Sequence, residues 1–590
     1  MKKVGLIGLV SVVIIGILAA VGFKLYDNYQ EKHRESEIVM PLDQYYQVPA
    51  GEAMVIFDES IYEKNAIYEN NAVYLDLDTV LERFGIKLFM DETENRLYYT
   101  NAEQAFVFTP DSAEFLLNRQ TVSESVPLVI KKNGIIYISL KFLSNHTDIT
   151  YSFYENPARL LLTWSKDSFL CAGIKEKTSI RVSQDIKADL LKTLEPGETV
   201  RFIDGGGIQE NGFVKVMSTD GVRGYILSER LDESFYTDPI FNSFTPVTGK
   251  PQLCGERVYL GWHLLYTSNG VDLLKAYLED NEDLTVVAPT WYFLNDTKGN
   301  FISYADGAYV QYAHSQGVKV WVTVKNDNID GVFECTADSY SLLTSYESRI
   351  ALVDRIIEGV KACGADGVNI DFELLSVASG VYFVQFLREL SLECRKEGII
   401  LSVDNYVPEN YNAYYDIKSQ AEFADYIVIM GYDEHYAGSG EAGSVSSLEW
   451  FKRAADNTLA KCPAEQIIMG VPFYTRLWKE VKDGENVKVT VESTPTLSEA
   501  ARLAEKLDVE KVWRAAEGQY YIEYDRDGAT YKMWIEDNES LREKAKAIRE
   551  RGIGGIAAWK LGDELDDTWN ALWEALDGAL PEENTSDVTG

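Results

Sequence analysis

The second half of the chain alternates between two hydrophobic rhythms. Short apolar runs occupy residues 258–261, 285–289, 318–324, 367–372, 399–403, 426–430, 467–471 and 554–558. Between most of them lie segments whose apolar residues recur every three or four positions, as in 346–363 and 381–396. Runs of that length read as buried strands, and the longer period reads as helix. Eight strands alternating with helices between residues 256 and 578 predict an α/β fold, a TIM-type (β/α) barrel. The interval between the seventh and eighth runs is long. Its residues 477–530 contain strand-like pieces such as 519–524 and predict a small α+β insertion on the catalytic face.

The first half lacks this alternation. Residues 51–166 consist of short β-type runs and polar turns, and they contain a repeat. Residues 73–99 align with 136–162 at an offset of 63, with Tyr74/Tyr137, Leu77/Leu140, Ile86/Ile149, Glu92/Glu155, Arg96/Arg159 and Leu97/Leu160 identical. Each copy reads as a strand, a short helix and a hairpin, so the span is expected to be a duplicated α+β domain. It resembles the domain named after the N-terminus of copper amine oxidases, and no copper site is implied. Residues 168–235 read as a small all-β barrel, with strands at 179–182, 199–203, 213–217 and 224–226 and a turn at Pro196-Gly197. This pattern resembles the bacterial Src-homology-3-type domain, a module that often binds cell-wall peptides. Residues 236–255 carry Pro and Gly and read as a linker.

At the start, an uncharged apolar run from 4 to 23 follows Lys2 and Lys3. Twenty helical residues at ~1.5 Å each span the ~30 Å hydrocarbon core of a membrane. The apolar part of a cleaved signal is shorter, about 7–15 residues. Residues 1–24 are therefore expected to be a single-pass membrane anchor, with 25–50 a juxtamembrane stalk and the rest extracellular. Cleavage near Ala20-Val21-Gly22 would make the protein secreted instead. Residues 579–590 read as a disordered tail.

Charge and composition narrow the function. Asp plus Glu number 93 against 56 Lys plus Arg, a net charge of −37. That excludes nucleic acid as a partner, because binding phosphates needs a basic face. The six cysteines contain no CxxC pair, so the spacing of a structural zinc site is missing, and neither metal nor cofactor is expected. No Ser/His/Asp ordering, HExxH or Gly-rich phosphate loop occurs.

The fourth apolar run carries the chemistry. It reads Ala365-Asp366-Gly367-Val368-Asn369-Ile370-Asp371-Phe372-Glu373. Strand side chains alternate faces, so Val368, Ile370 and Phe372 should face the helices while Asn369, Asp371 and Glu373 face the barrel interior. Acidic groups there are costly unless they have a task. The row ends at the strand's C-terminus, where barrel active sites form. Two carboxylates so close repel each other, so one should hold a proton more tightly and serve as a general acid. Trp262, Trp291 and Tyr406, near predicted strand ends, are candidates to stack on sugars. His263 and His435 are candidates to line the cleft.

The segment resembles the DGxDxDxE signature of glycoside hydrolase family 18. Asp366, Gly367, Asp371 and Glu373 match it, and Asn369 stands where Asp is commoner. Asn at this place is frequent in the branch of spore-cortex and cell-wall N-acetylglucosaminidases. Met430-Gly431-Tyr432-Asp433 resembles the family's M-x-Y-D, Gly470-Val471-Pro472-Phe473-Tyr474 its G-x-P-x-Y, and Trp559 the Trp that floors the subsite on the last strand. Asp433-Glu434-His435-Tyr436 and Met533-Trp534-Ile535-Glu536-Asp537 look like the cell-wall branch. The third strand, with Lys325-Asn326 at its end, lacks the S-x-G-G of many chitinases. The resemblance implies substrate-assisted cleavage after N-acetylglucosamine. In it Glu373 is the acid and base, Asp371 orients the acetamido group and Tyr432 holds its carbonyl. Asp366, Asn369, Met430 and Asp433 support them, and Trp559, Tyr474 and His435 contact substrate. The implied partner is an N-acetylglucosamine polysaccharide, with peptidoglycan as the leading substrate. The alternatives are a lectin-like protein on the same fold, a chitinase, or an endoglycosidase acting on glycoproteins.

Overall fold

The computed structural model describes residues 2–209, 211–241, 244–266, 270–279, 281, 283–327, 335, 337–484, 486–507 and 509–578. The expected tail at 579–590 lies outside the described residues. The chain forms two compact units. One holds residues 1–88, 108–116 and 120–246; the other holds 89–107, 117–119 and 247–590.

The first unit begins with a helix, Lys2–His33, whose stretch Ser11–His33 is long and apolar enough to cross a membrane. The polar residues expected to form a stalk do something else. The helix runs on through His33, and the chain then lies along a β-sheet. Met40 N–H donates to Leu190 O at 2.8 Å, Leu190 N–H donates to Ile38 O at 2.7 Å, and Met40, Leu42 and Tyr45 pack on that sheet's core. Apolar side chains at 40, 42 and 45 override the polar composition around them. The sheet has seven antiparallel strands between Phe169 and Thr237 and forms the small all-β domain. In the duplicated region, Ala72–Asp76 followed by helix Leu77–Phe84 matches Ile135–Ser139 followed by helix Leu140–His146. The helices are capped at the same repeat position: Asp76 accepts from Thr79 N–H and Ser139 from Lys141 N–H. The two strands pair with each other, Tyr137 opposite Asp76.

The second unit is a closed barrel. Its parallel strands are β1 (Val258–His263), β2 (Val286–Leu294), β3 (Lys319–Lys325), β4 (Gly367–Asp371), β5 (Ile400–Tyr406), β6 (Tyr426–Met430), β7 (Ile467–Pro472) and β8 (Gly555–Trp559). They pair in sequence order, and β8 pairs with β1 to close the ring. The alternating helices are α1 (Gly270–Glu279), α2 (Gly307–Ser315), α3 (Tyr346–Cys363), α4 (Gly380–Glu397), α5 (Ile417–Gln420), α6 (Leu448–Leu459), α7 (Asn538–Glu550) and α8 (Thr568–Leu576). Val368, Ile370 and Phe372 join the apolar layer between strands and helices, as alternation requires. A second apolar cluster, with Val258, Leu260, Trp262, Trp321, Tyr426 and Ile468, plugs the barrel interior. Cys171, Cys254, Cys363, Cys394 and Cys462 form no disulfide among the described residues.

The insertion between β7 and α7 is a five-stranded antiparallel sheet with one helix, Leu497–Leu507. Its last strand reaches Ile535, five residues beyond the expected end at 530, because Ala529–Ile535 alternates buried and half-buried residues and supplies the central pairing.

Candidate active site

The site forms from three neighbouring strands. Register pairs Thr323 with Asn369 and Lys325 with Asp371 across β3 and β4, and Asn369 with Ser402 across β4 and β5. These residues face inward in layers. In the lower one, Asn369 Oδ1 accepts from Trp262 Nε1 and from Thr323 Oγ1, each at 3.2 Å. Its Nδ2 donates to Ser402 Oγ at 3.0 Å and Asp404 Oδ1 at 2.7 Å. In the upper layer, Lys325 Nζ donates to Asp371 Oδ2 at 2.5 Å and lies 3.4 Å from Asp327 and 3.8 Å from Glu373 Oε1. The Lys325 and Asp371 side chains are 7% and 6% exposed. The positive partner of the carboxylates is thus an ammonium of the chain itself.

Glu373 follows β4 on a clasped turn. Its N–H donates to Asn326 Oδ1 at 2.7 Å, and Asn326 Nδ2 donates back to Glu373 O at 2.9 Å. Tyr406 Oη, at the end of β5, donates to Glu373 Oε2 at 2.9 Å and accepts from Leu374 N–H at 3.2 Å. Leu374 turns through φ +52°, an uncommon state for a bulky residue. Burial, and then the neighbouring Asp371 charge, push the Glu373 pKa up to about 7, against the pull of Lys325 and the Tyr406 hydroxyl. Glu373 thereby holds a proton near neutral pH.

The remaining predicted residues divide into those near this cluster and those away from it. Tyr432, after β6, lies edge-on to Trp262 and Tyr474, with ring centroids 6.5 and 6.3 Å away. Trp559 ends β8 with its ring centroid 5.5 Å from Lys325 Nζ and 6.1 Å from Trp262. Met430 ends β6 in register with Tyr406. Asp433 accepts from Tyr474 Oη at 2.5 Å and from Arg476 at 2.8 Å, fastening the loop after β6 to the chain after β7. His435 bonds Ser444 O through Nδ1.

Four placements differ from the expected ones. Trp262 is buried inside the barrel and donates to Asn369, so it is a floor beneath the site and not an exposed stacking surface. Trp291 lies on the helix side of β2, edge-on to Tyr309, in the apolar core. His263 is buried against Tyr309 Oη at 2.8 Å, and burial pushes its pKa down to about 3, so it stays neutral. Asp366 precedes β4 at the opposite end of the strand, where it accepts from Val320 N–H and contacts His314. Sequence reasoning did not single out Lys325, Asn326, Asp327, Asp404 or Arg476. The inward alternation Trp321, Thr323, Lys325 on β3 was the available signal for the lysine.

The second-unit span 273–564 matches the profile of Glycosyl hydrolases family 18, and 56–157 matches the Copper amine oxidase N-terminal domain. The chain is 25% identical over 331 residues to the uncharacterized glycosylase YvbX of Bacillus subtilis, covering 54% of this chain and 92% of that protein. It is 25% identical over 313 residues to the cortical fragment-lytic enzyme of Bacillus anthracis, covering 51% and 70%. The crystal structure of the Bacillus cereus spore cortex-lytic enzyme SleL aligns at 21% identity and TM-score 0.48, over 59% of this chain and 78% of that one. Asp371, Glu373, Tyr432 and Trp559 all fall inside the matched span, so the barrel is similar to the glycosyl hydrolase family 18 domain at its site residues, and with its glycosylase relatives this makes the protein a glycosidase.

Proposed function

We propose that the protein is a cell-surface hydrolase that cleaves β-1,4 bonds after N-acetylglucosamine in peptidoglycan. The observation that carries this reading is the pair at the end of β4: a carboxyl with its pKa raised to about 7, beside a carboxylate held by a buried lysine. In this reading Glu373 gives its proton to the glycosidic oxygen as the bond to the anomeric carbon breaks. The acetamido carbonyl oxygen of the substrate bonds to that carbon, forming an oxazolinium ion. Two enzymic carboxylates of the ordinary retaining kind are then not required. Asp371 Oδ1, buried and without an amide, hydroxyl or ammonium donor among the described residues, accepts the acetamido N–H and stabilises the developing positive charge. Tyr432 holds the acetamido oxygen, and Trp559, with Trp262 beneath it, floors the subsite. Water then adds to the anomeric carbon as its bond to the acetamido oxygen breaks, restoring the acetamide, and loses its proton to Glu373.

A wall glycan is supported by the relative named as a cortical fragment-lytic enzyme. The apolar N-terminal helix supports anchoring in the cell membrane, and the seven-stranded all-β domain supports a Src-homology-3-type module that contacts the wall. The test is digestion of purified peptidoglycan and of chito-oligomers by the full chain in detergent, beside Glu373→Gln. Removing a general acid costs about 10²- to 10⁴-fold. Products ending in reducing N-acetylglucosamine, lost in Glu373→Gln, are expected. A wild type that binds N-acetylated glycans but cleaves none of them overturns the reading in favour of a lectin.

A further inference from the structure

Asp371 is held from one side only. Lys325 takes Oδ2, and no amide, hydroxyl or ammonium donor among the described residues reaches the buried Oδ1. The strand register shows what stands on the other side. Ile370 lies opposite Val403, so one further step places Asp404 beside Asp371, as Lys325 lies beside it across β3. Adjacent strands are ~4.8 Å apart and residues in register share a face. Lys325, Asp371 and Asp404 therefore form one inward row.

The layer beneath fixes the orientation of Asp404. Trp262 Nε1 can only donate, so it faces Asn369 Oδ1, and Asn369 Nδ2 must point to Asp404 Oδ1. Asp404 is 2% exposed. Two carboxyl groups side by side in such a place do not both ionise. The ammonium decides between them: it bonds Asp371, whereas the hydrogen-bond partner of Asp404 is a neutral amide. The charged and titratable groups facing Asp404 are Asp371 on β4, Glu373 beyond it, Lys325 on β3 and Tyr432 after β6. Burial, and then the Asp371 charge, raise the Asp404 pKa well above the carboxylate range.

We propose that Asp404 is a positioning residue that carries a proton at neutral pH and donates it in a hydrogen bond to Asp371 Oδ1. It supplies from β5 the carboxyl partner that Asn369 cannot provide from the motif strand. The inference rests on the role given to Asp371 above. With Oδ2 on Lys325 and one lone pair of Oδ1 on Asp404, Asp371 is fixed as a carboxylate, and the remaining lone pair of Oδ1 is left for the acetamido N–H.

Two substitutions separate a protonated Asp404 from an ionised one. Asp404→Asn keeps a neutral donor and acceptor on the same frame, and Asp404→Leu removes both. Asp404→Asn is expected to keep kcat within about tenfold of wild type, with an unchanged pH profile. Asp404→Leu is expected to lose on the order of 100-fold in kcat at similar KM, the cost of a misplaced catalytic group. Infrared difference spectra of the substrate-free full chain at neutral pH, wild type minus Asp404→Asn, should contain the carbonyl stretch of a protonated carboxylic acid. An absent band, or an Asp404→Asn variant as impaired as Asp404→Leu, overturns the proposal. The band is read without substrate and without Asp404→Leu, so it decides the matter even if that variant fails to fold. A missing band with cleavage intact defeats only Asp404, and a present band with no cleavage defeats only the proposed function.

Discussion

At the scale of single residues, the site is an arrangement of one cation among four carboxyl groups, Asp327, Asp371, Glu373 and Asp404. Lys325 favours the ionised form of whichever it touches, and its closest contact is Asp371. Glu373, 3.8 Å from the ammonium, keeps its raised pKa because burial outweighs that attraction. The sign of a change at Tyr406 follows directly. Its hydroxyl donates to Glu373 and so favours the carboxylate; removing it raises the Glu373 pKa further. A hydrogen bond to a charged group is worth about 1.5–3 kcal/mol, and one pKa unit corresponds to about 1.4 kcal/mol. The protonated acid starts the reaction, so activity falls as pH rises through about 7 in the wild type. In Tyr406→Phe that falling limb should move about one pH unit higher, with kcat lowered by the lost orientation; kcat measured against pH reads both, and a limb that stays put or moves to lower pH contradicts the assignment. Asp371 and Glu373 were legible because two acids in alternation at the end of an apolar run have no structural use. Lys325 and Asp404 were not, since a lysine ending a strand and an Asp-Asn pair ending another look like ordinary exposed termini until register turns them inward. Trp291 shows the reverse: counting from Val286, alternation sends it to the helix side however close to the strand end it lies.

At the scale of elements, the eight barrel strands were readable from their apolar runs, because strands buried on both faces have little polar interruption. The boundaries of the insertion were less readable, because its strands are half-exposed and alternate like surface hairpins. Among the contacts that join the insertion to the barrel is a buried polar chain that no periodicity announces. Ser444, in the loop after β6, donates to Gln519 Oε1 at 2.5 Å. Gln519 Nε2 donates to Glu536 Oε2 at 2.8 Å, and Lys544 of α7 donates to both Glu536 oxygens at 2.8 and 3.0 Å. Glu536 and Lys544 are fully buried, which gives the Met533–Asp537 motif a structural role: its glutamate is the node where loop, insertion and helix meet. Removing one partner strands a buried charge and costs about 3–5 kcal/mol, whereas replacing both with apolar groups is often close to neutral. Lys544→Met should therefore lower the unfolding free energy by about that amount in urea titrations. The double change Lys544→Met with Glu536→Leu should recover most of it. Equal loss in the single and double variants would show that the pair is not what fastens these elements.

At the scale of the whole molecule, the net charge of −37 gives the chain no attraction to anionic surfaces, so any residence at a membrane would have to come from apolar burial. Among the described residues, the helix Lys2–His33 is the one long and apolar enough to supply it. At ~1.5 Å per residue it is longer than the ~30 Å core of a bilayer. Its apolar side chains from Val12 to Phe23 are exposed and pack on no apolar core among the described residues, unlike those at 40, 42 and 45. Leaving Val12, Ile15, Leu18 and Phe23 in water is unfavourable by roughly 1.5–3 kcal/mol each relative to full burial. The full chain is therefore expected to stay with membranes through alkaline carbonate extraction, while a chain beginning at Arg34 should be soluble. Because the catalytic cluster lies in the second unit, the shortened chain should cleave small chito-oligomers with unchanged kcat/KM. N-terminal sequencing of the extracted protein separates an anchor, which keeps the apolar run, from a cleaved signal, which ends near Ala20. A full chain that washes from membranes with its first residues intact would remove the helix from any anchoring role.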